Sequence, residues 1–200
     1  MLTDHNLYAN KDLFDIVKKA AKAGVSIVQY RDDIIPINQY TQNAKKLKKI
    51  LSEYNIPLII SNRIEAVIPS DADGIHLENG HETVVETRNY LGLSYIIGFS
   101  VHFPKNIKIT NSLPLNYIAT GPVFHTTTKE YNHQKWGVEN IKNSIQNSIH
   151  PLVAVGGVNH QNIHKLKGSG IKCIASVSEI LHHYNKPQKL LDIIREIENL

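Results

Sequence analysis

The chain has 200 residues, of which 42% are hydrophobic and 20% charged, and its formal net charge at pH 7 is +4. That length suits one domain with a sizeable core, and the composition excludes the disordered and fibrous classes. The modest positive excess is spread along the chain, which fits small anionic ligands better than a nucleic-acid groove.

Residues 1–3 offer only a strand stub, against the about five or six residues usual for a strand. Either the first strand is short or its beginning lies upstream. Residues 12–23 then place Leu13, Ile16, Val17 and Ala20 on one helical face, with Gly24 as a stop. An apolar run at 25–29 precedes a second helical pattern at 38–54, carrying Tyr40, Ala44, Leu47, Leu51 and Tyr54. Its basic run, residues 45–49, reads as a solvated helix face. Further apolar runs follow at 57–60, 74–77, 95–99, 117–119, 152–155 and 172–175, with helical patterns at 159–168 and 178–197. Most of the runs are continuous rather than alternating, as expected of strands buried on both faces of a parallel sheet.

Strands and helices alternate without a linker or low-complexity segment. Seven runs plus the stub make eight units, so the expected fold class is α/β, a single (β/α)8 TIM barrel over residues 1–200. An open doubly wound sheet is the alternative, disfavoured by the lack of a glycine fingerprint after the first strand. Cys173 is the one cysteine, which excludes an internal disulfide and a cysteine-based zinc site. Inside its apolar run it reads as a small buried hydrophobe. No stretch nears the about 18 apolar residues of a membrane helix, and the start lacks the pattern of a signal peptide. The expectation is a cytoplasmic protein with no membrane or nucleic-acid partner.

In such barrels the chemistry sits at the C-terminal ends of the strands. The polar residues there are Asp4, Gln29, Arg31, Asp33, Ser61, Asn62, His76, Asn79, His81, Ser100, His102, the loop 121–129, Gly156, Gly157, Ser176 and Ser178. Gly156-Gly157 after an apolar strand lets backbone N–H groups approach an anion, and Ser178 is placed to cap the last helix beside it. Thr126, Thr127, Thr128 and Lys129 offer hydroxyls and a positive charge, and Arg31 a planar fork. Two separated anion-binding groups imply a pair of substrates, or one substrate with two anionic ends. A tight turn, a helix cap and a polar loop are the plain structural readings of the same residues.

These residues fall in motifs that resemble a known family. Gln29-Tyr30-Arg31, Ser61-Asn62-Arg63, Asp73-Gly74-Ile75-His76-Leu77, Gly98-Phe99-Ser100-Val101-His102, Gly121-Pro122-Val123-Phe124-His125-Thr126-Thr127-Thr128-Lys129, Gly156-Gly157 and Ser176-Val177-Ser178 are similar, in order, to the thiamine phosphate synthase and thiazole tautomerase superfamily. The resemblance covers essentially the whole chain. It implies a barrel that binds a phosphorylated thiazole, with the phosphate at Gly157, Val177 and Ser178, and a dimer as the family-level expectation.

For the synthase branch it implies capture of an aminopyrimidine cation by the thiazole nitrogen after pyrophosphate departs, with magnesium and an electrostatic cluster holding that anion. Gln29, Arg31, Ser100, Thr126, Thr128 and Lys129 match the synthase motifs. Asp33 stands where that motif has lysine, and Asn62 and His81 stand where it has metal carboxylates. An amide and an imidazole suit a hard cation poorly. These departures favour the tautomerase branch, which needs no metal or other cofactor and moves a proton on thiazole carboxylate phosphate. His125 is the expected acid/base there, with His102 second, because an imidazole titrates near neutrality. Asn62 joins the substrate-binding set in that reading. A magnesium-dependent synthase is the alternative, and a catalytically silent ligand-binding barrel the third. His76 reads as a structural histidine.

Overall fold

The computed structural model describes residues 1–126 and 135–200. The apolar runs form seven strands, β1 (Val28–Tyr30), β2 (Leu58–Ser61), β3 (Gly74–Leu77), β4 (Ile96–Val101), β5 (Tyr117–Thr120), β6 (Leu152–Val155) and β7 (Cys173–Ala175). They pair in sequence order, all parallel, in one curled sheet. β2 and β3 are buried along their whole length, which is why their sequences do not alternate.

The expected eighth strand does not form, so the sheet is not the closed eight-stranded barrel anticipated from the count of units. Residues 1–3 are too few for a ladder, and Leu2 makes one parallel bridge to Gln29. The stub nevertheless touches both edges of the sheet. Thr3 N–H donates to Gln29 O at 3.0 Å, Gln29 N–H to Met1 O at 2.9 Å, and Leu2 N–H to Ser176 O at 3.0 Å.

The helices are α1 (His5–Tyr8), α2 (Leu13–Lys22), α3 (Ile37–Ser52), α4 (Thr83–Leu91), α5 (Gly137–Asn147), α6 (Ser178–His183) and α7 (Pro187–Glu198). α2 starts where the Asp12 carboxylate accepts the N–H groups of Phe14 and Asp15. α3 buries Tyr40, Ala44, Leu47 and Leu51 and leaves Lys45, Lys46 and Lys49 exposed, as the helical spacing predicts. Among the described residues no helix is long and apolar enough to cross a membrane.

Three other expectations are corrected. The helix predicted at 159–168 is only a 3-10 turn at Ile163–Leu166. There the side-chain amides of Asn159 and Asn162 donate to Gly157 O at 3.4 and 2.8 Å, bonds that compete with a helical start. The single helix predicted at 178–197 is α6 followed by α7, broken at Pro187, whose ring and missing N–H forbid continuation. Cys173 is exposed rather than buried, because β7 is incompletely covered.

One buried acid ties α1 to the chain after β1. Asp32 is 2% exposed. One of its oxygens accepts from Tyr8 Oη and from His5 Nδ1 at 2.8 Å, and the other from the N–H groups of Ile34 and Ile35 at 3.0 and 3.2 Å. Burial alone raises a carboxyl pKa, but these four donors outweigh it and hold Asp32 below its ordinary value. A depressed carboxyl gives its stabilisation fully above the unfolded-state pKa of about 3.9 and loses it as pH falls through the lower folded value. Asp32→Ala is expected to lower the unfolding free energy at neutral pH by about 1–3 kcal/mol and to flatten its decline below about pH 4. Urea unfolding of both proteins across that range checks this; parallel pH profiles would contradict it.

Candidate functional site

The chain segments leaving β1, β6 and β7 meet in one open cleft. Five residues expected from the sequence line it together, Arg31, Thr126, Gly157, Val177 and Ser178, beside Leu2, Gly156 and Ser176. Gly156 and Gly157 both have positive φ, 89° and 70°. A Cβ on Gly157 would lie 2.2 Å from His125 O, and one on Gly156 would lie 2.7 Å from Pro122 Cα. The turn after β6 is thus packed against the loop after β5 so closely that only glycine fits.

Ser178 does not cap α6, because it is the first helical residue and Val177 occupies the cap without a side-chain bond. Its backbone N–H is one of the unpaired groups of a helix start. Ser176, one of the polar residues expected at the strand ends, carries a signal that only the structure shows. Its hydroxyl is buried and has no hydrogen-bond partner among the described residues, yet the residue lines the cleft. A buried hydroxyl without a partner is costly unless something arrives to bond it.

Arg31 stands at the opposite side of the cleft, with its guanidinium ion-paired to Asp4 and its Nη1 3.8 Å from Glu78 Oε1. Its backbone is fixed as well, since Thr3 Oγ1 accepts Arg31 N–H at 2.9 Å and donates to Arg31 O at 3.1 Å. Much of the positive charge of Arg31 is therefore offset in place. It offers an anion oriented N–H donors more than net charge.

Glu78 is a residue that sequence reading missed. Besides facing Arg31, its N–H donates to Asn62 Oδ1 at 2.9 Å, and its carbonyl lies 3.2 Å from His102 Nε2. No motif flagged it, and its role appears only through contacts far apart in sequence.

The remaining expected residues do not all join the cleft. Gln29 Nε2 donates to Ser61 Oγ at 2.7 Å, linking β1 to β2. Ser100 Oγ lies 2.8 Å from His76 Nε2, and His76 Nδ1 lies 3.0 Å from Tyr117 Oη. His76 is buried and bonded at both nitrogens, the structural histidine expected, while burial pushes the Tyr117 phenol up. His125 is exposed, and His102 O accepts Trp136 Nε1–H at 2.9 Å. Thr128 and Lys129 lie outside the described residues.

The two positions where the resemblance implies metal carboxylates do not fit magnesium. The Asn62 side-chain oxygen is spent on the Glu78 N–H, and His81 is an exposed imidazole 3.5 Å from Glu82. Neither supplies the carboxylate charge that a hard cation takes.

A protein-family model described as thiamine monophosphate synthase matches residues 1–180. The chain is 35% identical over 185 residues to the thiamine-phosphate synthase of Persephonella marina, covering 92% of this chain and 88% of that protein. It is 33% identical over 167 residues to that of Vibrio campbellii, covering 84% of this chain and 82% of that one. Among solved structures, a thiamine phosphate pyrophosphorylase from Pyrococcus furiosus matches with a TM-score of 0.86 at 22% identity, over 98% of this chain and 93% of its own. The (S)-3-O-geranylgeranylglyceryl phosphate synthase of Thermoplasma acidophilum matches with a TM-score of 0.70 at 14% identity, over 100% and 92%. At such identities these two likenesses speak for the fold alone.

The relatives overturn the tautomerase expectation. Those most similar in sequence are named as synthases, and the departures at Asp33, Asn62 and His81 do not remove the chain from their company. The proton-transfer roles given to His125 and His102 belonged to that reading and go with it.

The glycine turn provides a controlled test. Gly157→Ala is expected to destabilise the fold by more than the about 1–2 kcal/mol of a left-handed alanine. Gly168 has a similar φ of 72° with nothing within 4 Å of its Cβ position, so Gly168→Ala measures the conformational part alone. Thermal melts of the pair, with titration of inorganic phosphate, should show a larger loss and weaker anion binding for Gly157→Ala only. Equal losses would refute the close packing.

Proposed function

The chain belongs to the thiamine monophosphate synthase family, and we propose on that ground that it joins an aminopyrimidine pyrophosphate to thiazole phosphate. The bond from the pyrimidine methylene carbon to the pyrophosphate oxygen breaks, and its electron pair leaves with pyrophosphate. The lone pair of the thiazole nitrogen then forms the new C–N bond, giving thiamine phosphate.

The unpartnered Ser176 hydroxyl, buried in the cleft beside Gly157 and Ser178, is the observation that carries this reading at residue level. A phosphate monoester placed there would accept from that hydroxyl, from the Ser178 backbone and from the glycine turn. Arg31, across the cleft and held by Asp4, is the donor for the departing pyrophosphate. Its fixed orientation suits stabilisation of charge that grows during bond breaking. Thr126, and the Thr128 and Lys129 that follow it, belong to the same subsite in this proposal, while Gln29 and Ser100, bonded to Ser61 and His76, support the strand ends beside it. In the family resemblance, magnesium supplies further charge on the pyrophosphate. Asn62 and His81 do not provide its carboxylates, so the residues here act by donating, orienting and excluding water.

Incubating the purified chain with both substrates in magnesium-containing buffer is expected to yield thiamine phosphate and pyrophosphate in equal amounts. Ser176→Ala should raise KM for thiazole phosphate about tenfold to a hundredfold with little change in kcat, as one hydrogen bond to a charged phosphate is lost. Arg31→Ala should lower kcat by about 10²–10³. No product from the wild-type protein would sink the reading, and an unchanged KM in Ser176→Ala would sink the assignment of the thiazole phosphate subsite.

A further inference from the structure

A cluster of metal-binding type lies outside the residues assigned above. His160, in the turn after β6, points Nδ1 at Glu179 Oε1 at 2.6 Å, and its backbone N–H reaches the same oxygen at 3.4 Å. His183, one turn further along α6, brings Nε2 to 3.7 Å from that oxygen. The two imidazole rings meet nearly edge to face with centroids 6.0 Å apart. One ligand atom from each of the three residues lies within 4.8 Å of the others.

The plain reading is a hydrogen-bonded His160–Glu179 pair with His183 as a bystander. It leaves His183 unexplained. Nδ1 of His183 is buried without a partner, and Nε2 stands beyond hydrogen-bond reach of the carboxylate. His183 thus faces the carboxylate through Nε2 at 3.7 Å without bonding it, which places that nitrogen to take a ligand shared with Glu179 and His160. We propose that His160, Glu179 and His183 form a site for a divalent transition ion of the zinc class, with a fourth position open to solvent.

The chemistry of the donors selects that class. Two imidazoles and one carboxylate suit Zn²⁺ or Co²⁺ rather than magnesium or calcium, which take oxygen ligands. Tetrahedral bonds of about 2.0–2.2 Å place neighbouring donors roughly 3.3 Å apart. The separations of 2.6 and 3.7 Å straddle that value and every pair lies within 4.8 Å, so the site forms through side-chain shifts of up to about 1.5 Å. The side chains are 34%, 10% and 21% exposed for His160, Glu179 and His183, which leaves an entry path while shielding the carboxylate.

The ligands also come from the two segments that line the cleft. His160 follows Gly157 by three residues, and Glu179 directly follows Ser178. A bound ion ties those segments together, so it stabilises the chain without touching the reacting groups.

The test uses the purified full chain, stripped by a chelator and titrated with Co²⁺ and then Zn²⁺. One Co²⁺ per chain is expected, with the intense visible absorption of a four- or five-coordinate ion, displaced by Zn²⁺ and accompanied by a raised melting temperature. His183→Gln should abolish the bands and weaken binding at least about tenfold. This variant gives up no hydrogen bond, so its metal-free melting temperature should match the wild type. His160→Gln removes a ligand from the other segment and is read by the same bands. His182→Gln, at the exposed neighbour on α6, should keep them. Absence of the bands in the wild type, or Co²⁺ binding by both ligand variants as tight as the wild type, would overturn the site.

Discussion

The two edges of the sheet are joined by very little, and the cleft depends on that junction. Seven parallel strands leave a gap between β1 and β7, and residues 1–3 span it with single backbone hydrogen bonds rather than a ladder. Leu2 holds the carbonyl of Ser176, and Thr3 holds both backbone groups of Arg31 through its side chain and Gln29 through its N–H. The groups proposed to bind thiazole phosphate and pyrophosphate are thus oriented from the same short segment. A lost bond there costs about a kilocalorie directly, but it also frees two facing walls of the cleft to move independently. Positioning within a fraction of an ångström is what electrostatic catalysis needs.

The charge arrangement follows from this frame. The net charge of +4 says little about the cleft, because Arg31 stands among Asp4 and Glu78. Pairing fixes the guanidinium and removes much of its long-range pull, so what remains is directional donation. In the proposed reading the other side of the cleft works the same way, through backbone N–H groups and a buried hydroxyl. Strong charges elsewhere serve the scaffold. Arg88 is buried near the N-terminal ends of the strands and donates to the carbonyls of Gly92, Tyr95 and Pro114. Asp73 accepts Leu58 N–H at the start of β2 and Lys48 Nζ from α3.

The seven strands were legible because parallel strands buried on both faces need continuous apolar runs, and such runs are visible in sequence. The breaks were less legible. Pro187 inside an amphipathic pattern marked the division of α6 from α7, but the apolar spacing on both sides masked it. The turn after β6 looked helical until Asn159 and Asn162 turned inward onto Gly157. At the site, residues were found where the family motifs placed them, and missed where only distant contacts reveal them. Glu78 and Asp32 are of that second kind, and for Ser176, which the motifs did place, only the lack of a partner for its hydroxyl was invisible.

The tautomerase expectation failed for a related physical reason. It took Asp33, Asn62 and His81 together as three losses from one subsite, against a fixed pattern of neighbours. In the structure Asn62 is bonded to the backbone of Glu78, and the Glu78 carboxylate faces Arg31. A position that loses a carboxylate can therefore keep a polar role by supporting another residue that bears one. What determines the chemistry is the set of donors and acceptors converging on the cleft, which depends on how the strand ends are packed together. Substitution at single motif positions constrains that set weakly, whereas the Gly156-Gly157 turn, which admits no side chain on either residue, constrains it strongly.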